Sequence, residues 1–126
     1  MENDVAGRVP EEACGFLAGQ RQLAREIFPI TNTLHSPLAF HMQPQEQLRA
    51  FQSIEAQGLN LLGIYHSHPG GPPDPSEEDL AQAYYPGTVQ LIWSLSDEGW
   101  GCRGFIYSID GWQEISLEII SEENLV

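Results

Sequence analysis

A short apolar run, Leu59-Asn60-Leu61-Leu62-Gly63-Ile64-Tyr65, leads straight into His66-Ser67-His68, and the seven residues after that, Pro69-Gly70-Gly71-Pro72-Pro73-Asp74-Pro75, exclude regular structure. The run has the length and composition of a buried strand. Residues two apart on a strand point to one side, about 6.5–7 Å apart along the backbone. His66 and His68 therefore share a face, and Ser67 faces away. Four prolines remove backbone donors and two glycines admit positive φ, which makes 69–75 a stiff exposed turn. Ser76, followed by Glu77, Glu78 and Asp79, then reads as an N-cap and acidic first turn of a helix running to about Tyr84, with Asp79 projecting from that turn.

Each part has an ordinary explanation when taken alone. Ser76-x-x-Asp79 is a capping box, and a single histidine at a strand end is usually a structural or surface residue. The combination is different, because capping requires neither two histidines on one strand face nor a loop that returns the cap to them. Two imidazoles and a carboxylate suit zinc, whose catalytic sites hold three protein ligands and leave a position for water. Neutral His66 and His68 with ionised Asp79 leave a formal charge near +1 on such a site, enough to acidify a bound water toward about pH 7. A base must accept that proton. The acidic pair in Pro10-Glu11-Glu12-Ala13-Cys14-Gly15-Phe16-Leu17-Ala18-Gly19 abuts a small-residue apolar strand and offers two candidates, Glu11 and Glu12.

The string EACGFLAG at 12–19, GIYHSHP at 63–69, and then Ser76 and Asp79 resemble the JAMM (MPN-plus) zinc metalloprotease family in its compact prokaryotic form. Asn32, Phe40-His41-Met42-Gln43-Pro44 and Tyr85-Pro86-Gly87-Thr88-Val89 extend the likeness over roughly residues 10–120. The resemblance implies one Zn²⁺ held by His66, His68 and Asp79 with a bound water as fourth ligand. It further implies Glu12, chosen over Glu11 by its spacing to Gly15, as general base and then general acid, and Ser76 as hydrogen-bond donor to the tetrahedral intermediate. The implied fold is α/β, a mixed sheet flanked by helices and similar to cytidine deaminases. Relatives carry a helix ahead of the glutamate, but Gly7 and Pro10 leave little room for one here.

The resemblance also implies the substrate class, so the expected activity is hydrolysis of the amide after the C-terminal glycine of a ubiquitin-like or sulfur-carrier protein with a Gly-Gly tail. Glycine alone passes a narrow channel, and an added strand supplies backbone hydrogen bonds. The alternative is a non-catalytic MPN-type interaction module, disfavoured because no site position is missing. A structural zinc site is a third possibility, and it would ordinarily be closed by four protein ligands.

Length and composition fit one domain over residues 1–126, with 41% hydrophobic residues and no repeat. No apolar run approaches a membrane span, and Met1-Glu2-Asn3-Asp4 lacks the basic start of a signal peptide, so a cytoplasmic location is expected. Cys14 and Cys102 sit in apolar runs and read as buried thiols. His35 and His41 have no partner at ligand spacing and read as surface or structural residues.

Eighteen acidic residues against five arginines and no lysine give a formal net charge of −13. That balance argues against a phosphate-binding footprint, and so against the DNA-repair-linked RadC-like family, which carries a similar His-x-His and Ser-x-x-Asp pattern. Self-repulsion of this size is relieved by screening. Thermal stability should rise steeply from low to molar salt, and a flat melting midpoint across that range contradicts the electrostatic argument.

The remaining order predicts strands near Ala13–Gln20 and Leu23–Ile30, and a helix opened by Pro44 and ended by Gly58 with Leu48, Phe51 and Ile54 on its core face. Further strands are expected at Val89–Leu95, Cys102–Ile109 and Trp112–Ile120, the last two joined through Asp110-Gly111. Alternation of Ile115, Leu117 and Ile119 with Ser116 and Glu118 predicts one wet face.

Overall fold

The computed structural model describes residues 1–76 and 88–120. The helix expected after Ser76, and with it Asp79, lies outside the described residues. The elements run α1 (Glu2–Gly7), β1 (Cys14–Gln20), β2 (Leu23–Ile30), α2 (Pro44–Ala56), β3 (Asn60–His68), β4 (Val89–Ser96), β5 (Gly99–Ser108) and β6 (Gly111–Ile115). The strands form one mixed sheet in the order β2-β1-β3-β4-β5-β6. Four of its pairings are antiparallel, and β3 with β4 is parallel. A parallel pair needs a long crossover, which the residues between His68 and Val89 supply.

Each face of the sheet carries its own core. One holds Cys14, Phe16, Ile30 and Ile64 with Phe40, Met42 and Ala50, and Phe51 of α2 stacks on Phe16 at 4.8 Å between ring centroids. The other holds Val5, Ala13, Tyr65 and Leu91, with Leu17, Trp93 and Trp100 packed against them.

Helix α2 starts where expected. Gln43 caps it by accepting a hydrogen bond from the Glu46 N–H at 2.6 Å, and Pro44 takes the first turn. Its core face differs from the expected stripe: Ala50 and Ile54 are buried, whereas Leu48 is 57% exposed. Leu48 lies about 200° around the helix from Ala50, on the far side from the sheet. The expected stripe followed large side chains, while the contact is made by a small one that lets the helix approach.

A helix does precede Glu12, contrary to the reading of Gly7 and Pro10. At six residues α1 is too short to persist by propensity, and it is held by contacts. Val5 is fully buried, a contribution of about 1.5–3 kcal/mol. The Asp4 carboxylate accepts from Tyr65 Oη at 2.7 Å and from two Arg8 nitrogens at 2.7 and 3.1 Å. Arg8 also donates to the carbonyls of Cys14 and Ile30, both at 2.6 Å, clamping a cross-strand pair of β1 and β2. Gly7 falls at the last helical position and Pro10 beyond the end, where neither interrupts the helix. Gly15 makes room for this arrangement, since a Cβ there would meet the Tyr65 ring at 2.5 Å.

The two hairpins on the far side of the sheet share one device. In Ser96-Asp97-Glu98-Gly99 and Ser108-Ile109-Asp110-Gly111, each serine Oγ accepts from the N–H two residues on, at 3.2 and 3.3 Å. The closing glycine takes φ of +106° or +95°, the left-handed position that follows a type I turn in a bulged hairpin. The second turn is thus Ile109-Asp110, one residue earlier than expected, and Gly111 already pairs with Ser108.

Strand β6 stops at Ile115 instead of Ile120. Leu117 leaves the ladder and packs over Gly104, where a Cβ would lie 2.9 Å from Leu117 Cδ2. Ile119 is fully exposed, so a longer strand would have left an apolar row on a free edge.

Candidate active site

Glu12 lies two residues before β1 and is 3% exposed. Its N–H donates to Ser36 O at 2.8 Å, and its carbonyl accepts from Asn32 Nδ2 at 3.0 Å. Asn32, itself buried, also donates to Ala39 O at 3.0 Å and accepts at Oδ1 from the N–H groups of Leu34 and His41, both at 3.1 Å. One side-chain amide thereby holds a whole loop against the glutamate. In the sequence Asn32 was visible only through family likeness, because no periodicity announces such a clamp.

Strand β3 carries the histidines at its buried end, His66 fully buried and His68 7% exposed. Register places His66 opposite Cys14 on β1 and Ile92 on β4. Ser67 points to the opposite face, as read, but has a task there. Its Oγ accepts from Ala13 N at 2.8 Å, and its own N–H donates to Ala13 O at 3.0 Å. The residue between the histidines therefore fastens the residue next to Glu12.

The Nε2 atoms of His66 and His68 lie 3.0 Å apart. His68 Nδ1 stands 2.7 Å from Pro72 O, which has no proton to give. That nitrogen must donate, so in the neutral ring the lone pair sits on Nε2 and faces His66. Phe40 stacks on the His66 ring at 4.7 Å and 25°, fixing its plane. One potential ligand atom from each of Glu12, His66 and His68 lies within 4.8 Å of the others, and all three residues are buried. A tetrahedral ion with bonds of about 2.0–2.1 Å separates two nitrogens by about 3.3 Å. The donor set, the tautomer imposed by Pro72 and this spacing fit a metal ion, and Pro72 would be the outer hydrogen-bond partner of His68 if that ring held one.

Of the two glutamates, the structure brings Glu12 to the histidines. Glu11 is partly exposed and pairs with His35 Nδ1 at 2.5 Å. His41 is exposed and lies 3.3 Å from Thr33 Oγ1. Ser76 ends the described part of the loop and is exposed. Asp79 is outside the described residues. Both cysteines are free thiols, and burial pushes Cys14 up to about 12, so beside His66 in the sheet it remains a protonated packing residue.

A second polar group borders the site and was not foreseen. Arg103 on β5 faces the same side as His66 through the register His66–Ile92–Arg103. It donates to Glu114 at 2.9 and 2.7 Å and to Asp74 of the proline-rich turn at 2.8 Å. The hydrogen bonds from Arg103 hold the Glu114 carboxyl below its ordinary range. A lone arginine with acidic residues 29 positions before it and 11 after it leaves no local pattern to read.

Residues 4–112 match the model of the family described as prokaryotic homologs of the JAB domain. The chain is 44% identical over 112 residues to a probable TtuB-protein conjugate cleaving protease of Thermus thermophilus, spanning 88% of this chain and 70% of that one. It is 37% identical over 98 residues to a desampylase of Pyrococcus furiosus, spanning 77% and 67%. The solution structure of a Desulfitobacterium hafniense protein superposes with a TM-score of 0.83 at 34% identity, covering 98% of this chain and 90% of that one. The mixed α/β sheet, the buried Glu-His-His cluster and these likenesses agree: the chain belongs to the prokaryotic homologs of the JAB domain, hydrolases of the JAMM type.

Proposed function

We propose that this protein is a zinc-dependent peptidase or isopeptidase that cleaves the amide after the C-terminal glycine of a ubiquitin-like or sulfur-carrier protein ending in Gly-Gly. The observation that carries the reading is the convergence of Glu12, His66 and His68, all buried, with ligand atoms within 4.8 Å of one another. The likeness to the Thermus thermophilus protein, a probable TtuB-protein conjugate cleaving protease, supports the substrate class.

In this reading His66 and His68, with Asp79, hold the ion. Zinc, when bound, supplies Lewis acidity that lowers the pKa of a water and polarises the scissile carbonyl. Glu12 takes the proton from the attacking water and then delivers it to the departing amine. Its backbone is fixed by Asn32 and Ser36 and the residue is buried, which together limit how far that carboxylate can move. Ser76 donates to the oxygen that becomes anionic, an interaction made only in the transition state. Residues 1–126 act as one catalytic unit. We place it in the cytoplasm, where Cys14 and Cys102 would stay reduced.

The test is a set of carrier proteins, each with its terminal glycine amide-linked to an amino acid or a peptide, incubated with the zinc-loaded enzyme and read by intact-mass spectrometry. A product mass ending in free Gly-Gly is expected, abolished by chelation and restored by zinc. Intact amides across all carriers, with the metal shown to be bound, would favour the interaction-module reading instead.

A further inference from the structure

Between His68 and Ser76 the chain is fastened at two points. The first is local: His68 Nδ1 donates to Pro72 O at 2.7 Å, and Gly71 N–H donates to His68 O at 3.4 Å. The second crosses the sheet. Asp74 Oδ1 accepts from Arg103 Nη1 at 2.8 Å, on a strand separated from β3 by β4. Asp74 sits between Pro73 and Pro75, whose φ angles are fixed by their rings. Pro75 thus removes one of the few torsions between Asp74 and Ser76, two residues on, so a shift of the Asp74 backbone displaces Ser76 as well. Arg103 is well suited to hold such a point. Nε and Nη2 engage Glu114 in a two-bond fork, and the guanidinium lies 5.1 Å from the Phe105 ring centroid. The plane of the group is thus set by the β5–β6 hairpin, and its remaining edge is presented to Asp74.

We propose that Arg103 is a positioning residue: through Asp74 it latches the proline-rich turn to the β5–β6 hairpin and so sets Ser76 in register with Glu12, His66 and His68. The proposal rests on the role given to Ser76 above. Asp74 and Glu114 are substantially exposed and Arg103 partly so, so the latch holds a position more than it holds the fold together, and salt weakens it.

Three readouts test it on the zinc-loaded protein. Arg103→Gln or Asp74→Asn should lower kcat on the order of 3- to 10-fold with little change in KM, and the double variant should be no worse than either single one. In a Ser76→Ala background Arg103→Gln should add nothing further, and the wild-type to Arg103→Gln ratio of kcat should shrink toward one as salt is raised. Hydrogen exchange, which needs no turnover, should show faster exchange in the peptide spanning 69–76 of Arg103→Gln with β3 unchanged. An equal fall of kcat in the Ser76→Ala background, or unaltered exchange in that peptide, overturns the latch. Wild-type protein without turnover on any carrier strikes at the proposed function instead, and exchange then decides the latch by itself.

Discussion

Replacing Glu12 by glutamine should lower turnover by about 10²–10⁴-fold, the range supplied by a positioned acid–base group, while metal content stays at the wild-type level. The substitution is nearly isosteric, and the bonds from the Glu12 N–H to Ser36 and from Asn32 to the Glu12 carbonyl use backbone atoms that the variant retains. What disappears is basicity, since an amide cannot accept and return a proton near neutral pH. Glu11→Gln is the matched control. That carboxylate faces His35 at the surface, and its loss should leave kcat/KM within about twofold, as for most surface substitutions. Kinetics and metal analysis on the same samples make the comparison decisive. Undiminished activity in Glu12→Gln would remove this residue from the proton-transfer role.

His68→Ala should lose metal and turnover together. Removing even an outer partner of a metal ligand costs about 10–100-fold in affinity, so losing the imidazole itself should exceed about 10²-fold. Two effects coincide at this residue: the Nε2 facing His66 is removed, and the Pro72 carbonyl loses its donor. Pro72→Ala separates them, because it keeps the carbonyl and relaxes only the turn. It should bind metal far better than His68→Ala. Asp79→Ala should behave as His68→Ala does. Metal content by mass spectrometry after dialysis checks all three, and a full complement of zinc in His68→Ala would show that the ion sits elsewhere.

The histidine pair and its strand were legible because burial and period-2 geometry act over a few residues, and the spacing from His66 to His68 states the shared face outright. Strand β2 and the start of α2 were equally plain, the latter through Pro44. What escaped was set by partners distant in the chain. Helix α1 exists because Tyr65, Ile30 and Cys14 receive Asp4 and Arg8, and nothing in six residues discloses such neighbours. Leu48 was misplaced because size stood in for closeness, while Ala50 made the contact. The turn at Ile109-Asp110 and the early end of β6 depend on Gly111 and Gly104, whose roles follow from φ and from the Leu117 side chain above them. At the site, Asn32, Ser67 and Arg103 carry the supporting bonds, and each is a common polar residue without a local signature.

The reciprocal bonds between Ser67 and Ala13 tie the segment bearing the proposed base to the strand bearing both imidazoles, across more than fifty positions of chain. A slip of one step between β1 and β3 would turn either the acid or the rings to the wrong side of the sheet. Assembly of the reactive centre is thereby the same event as closure of the central ladder. A population of partly annealed molecules should contain working and silent copies, with few of diminished competence between them.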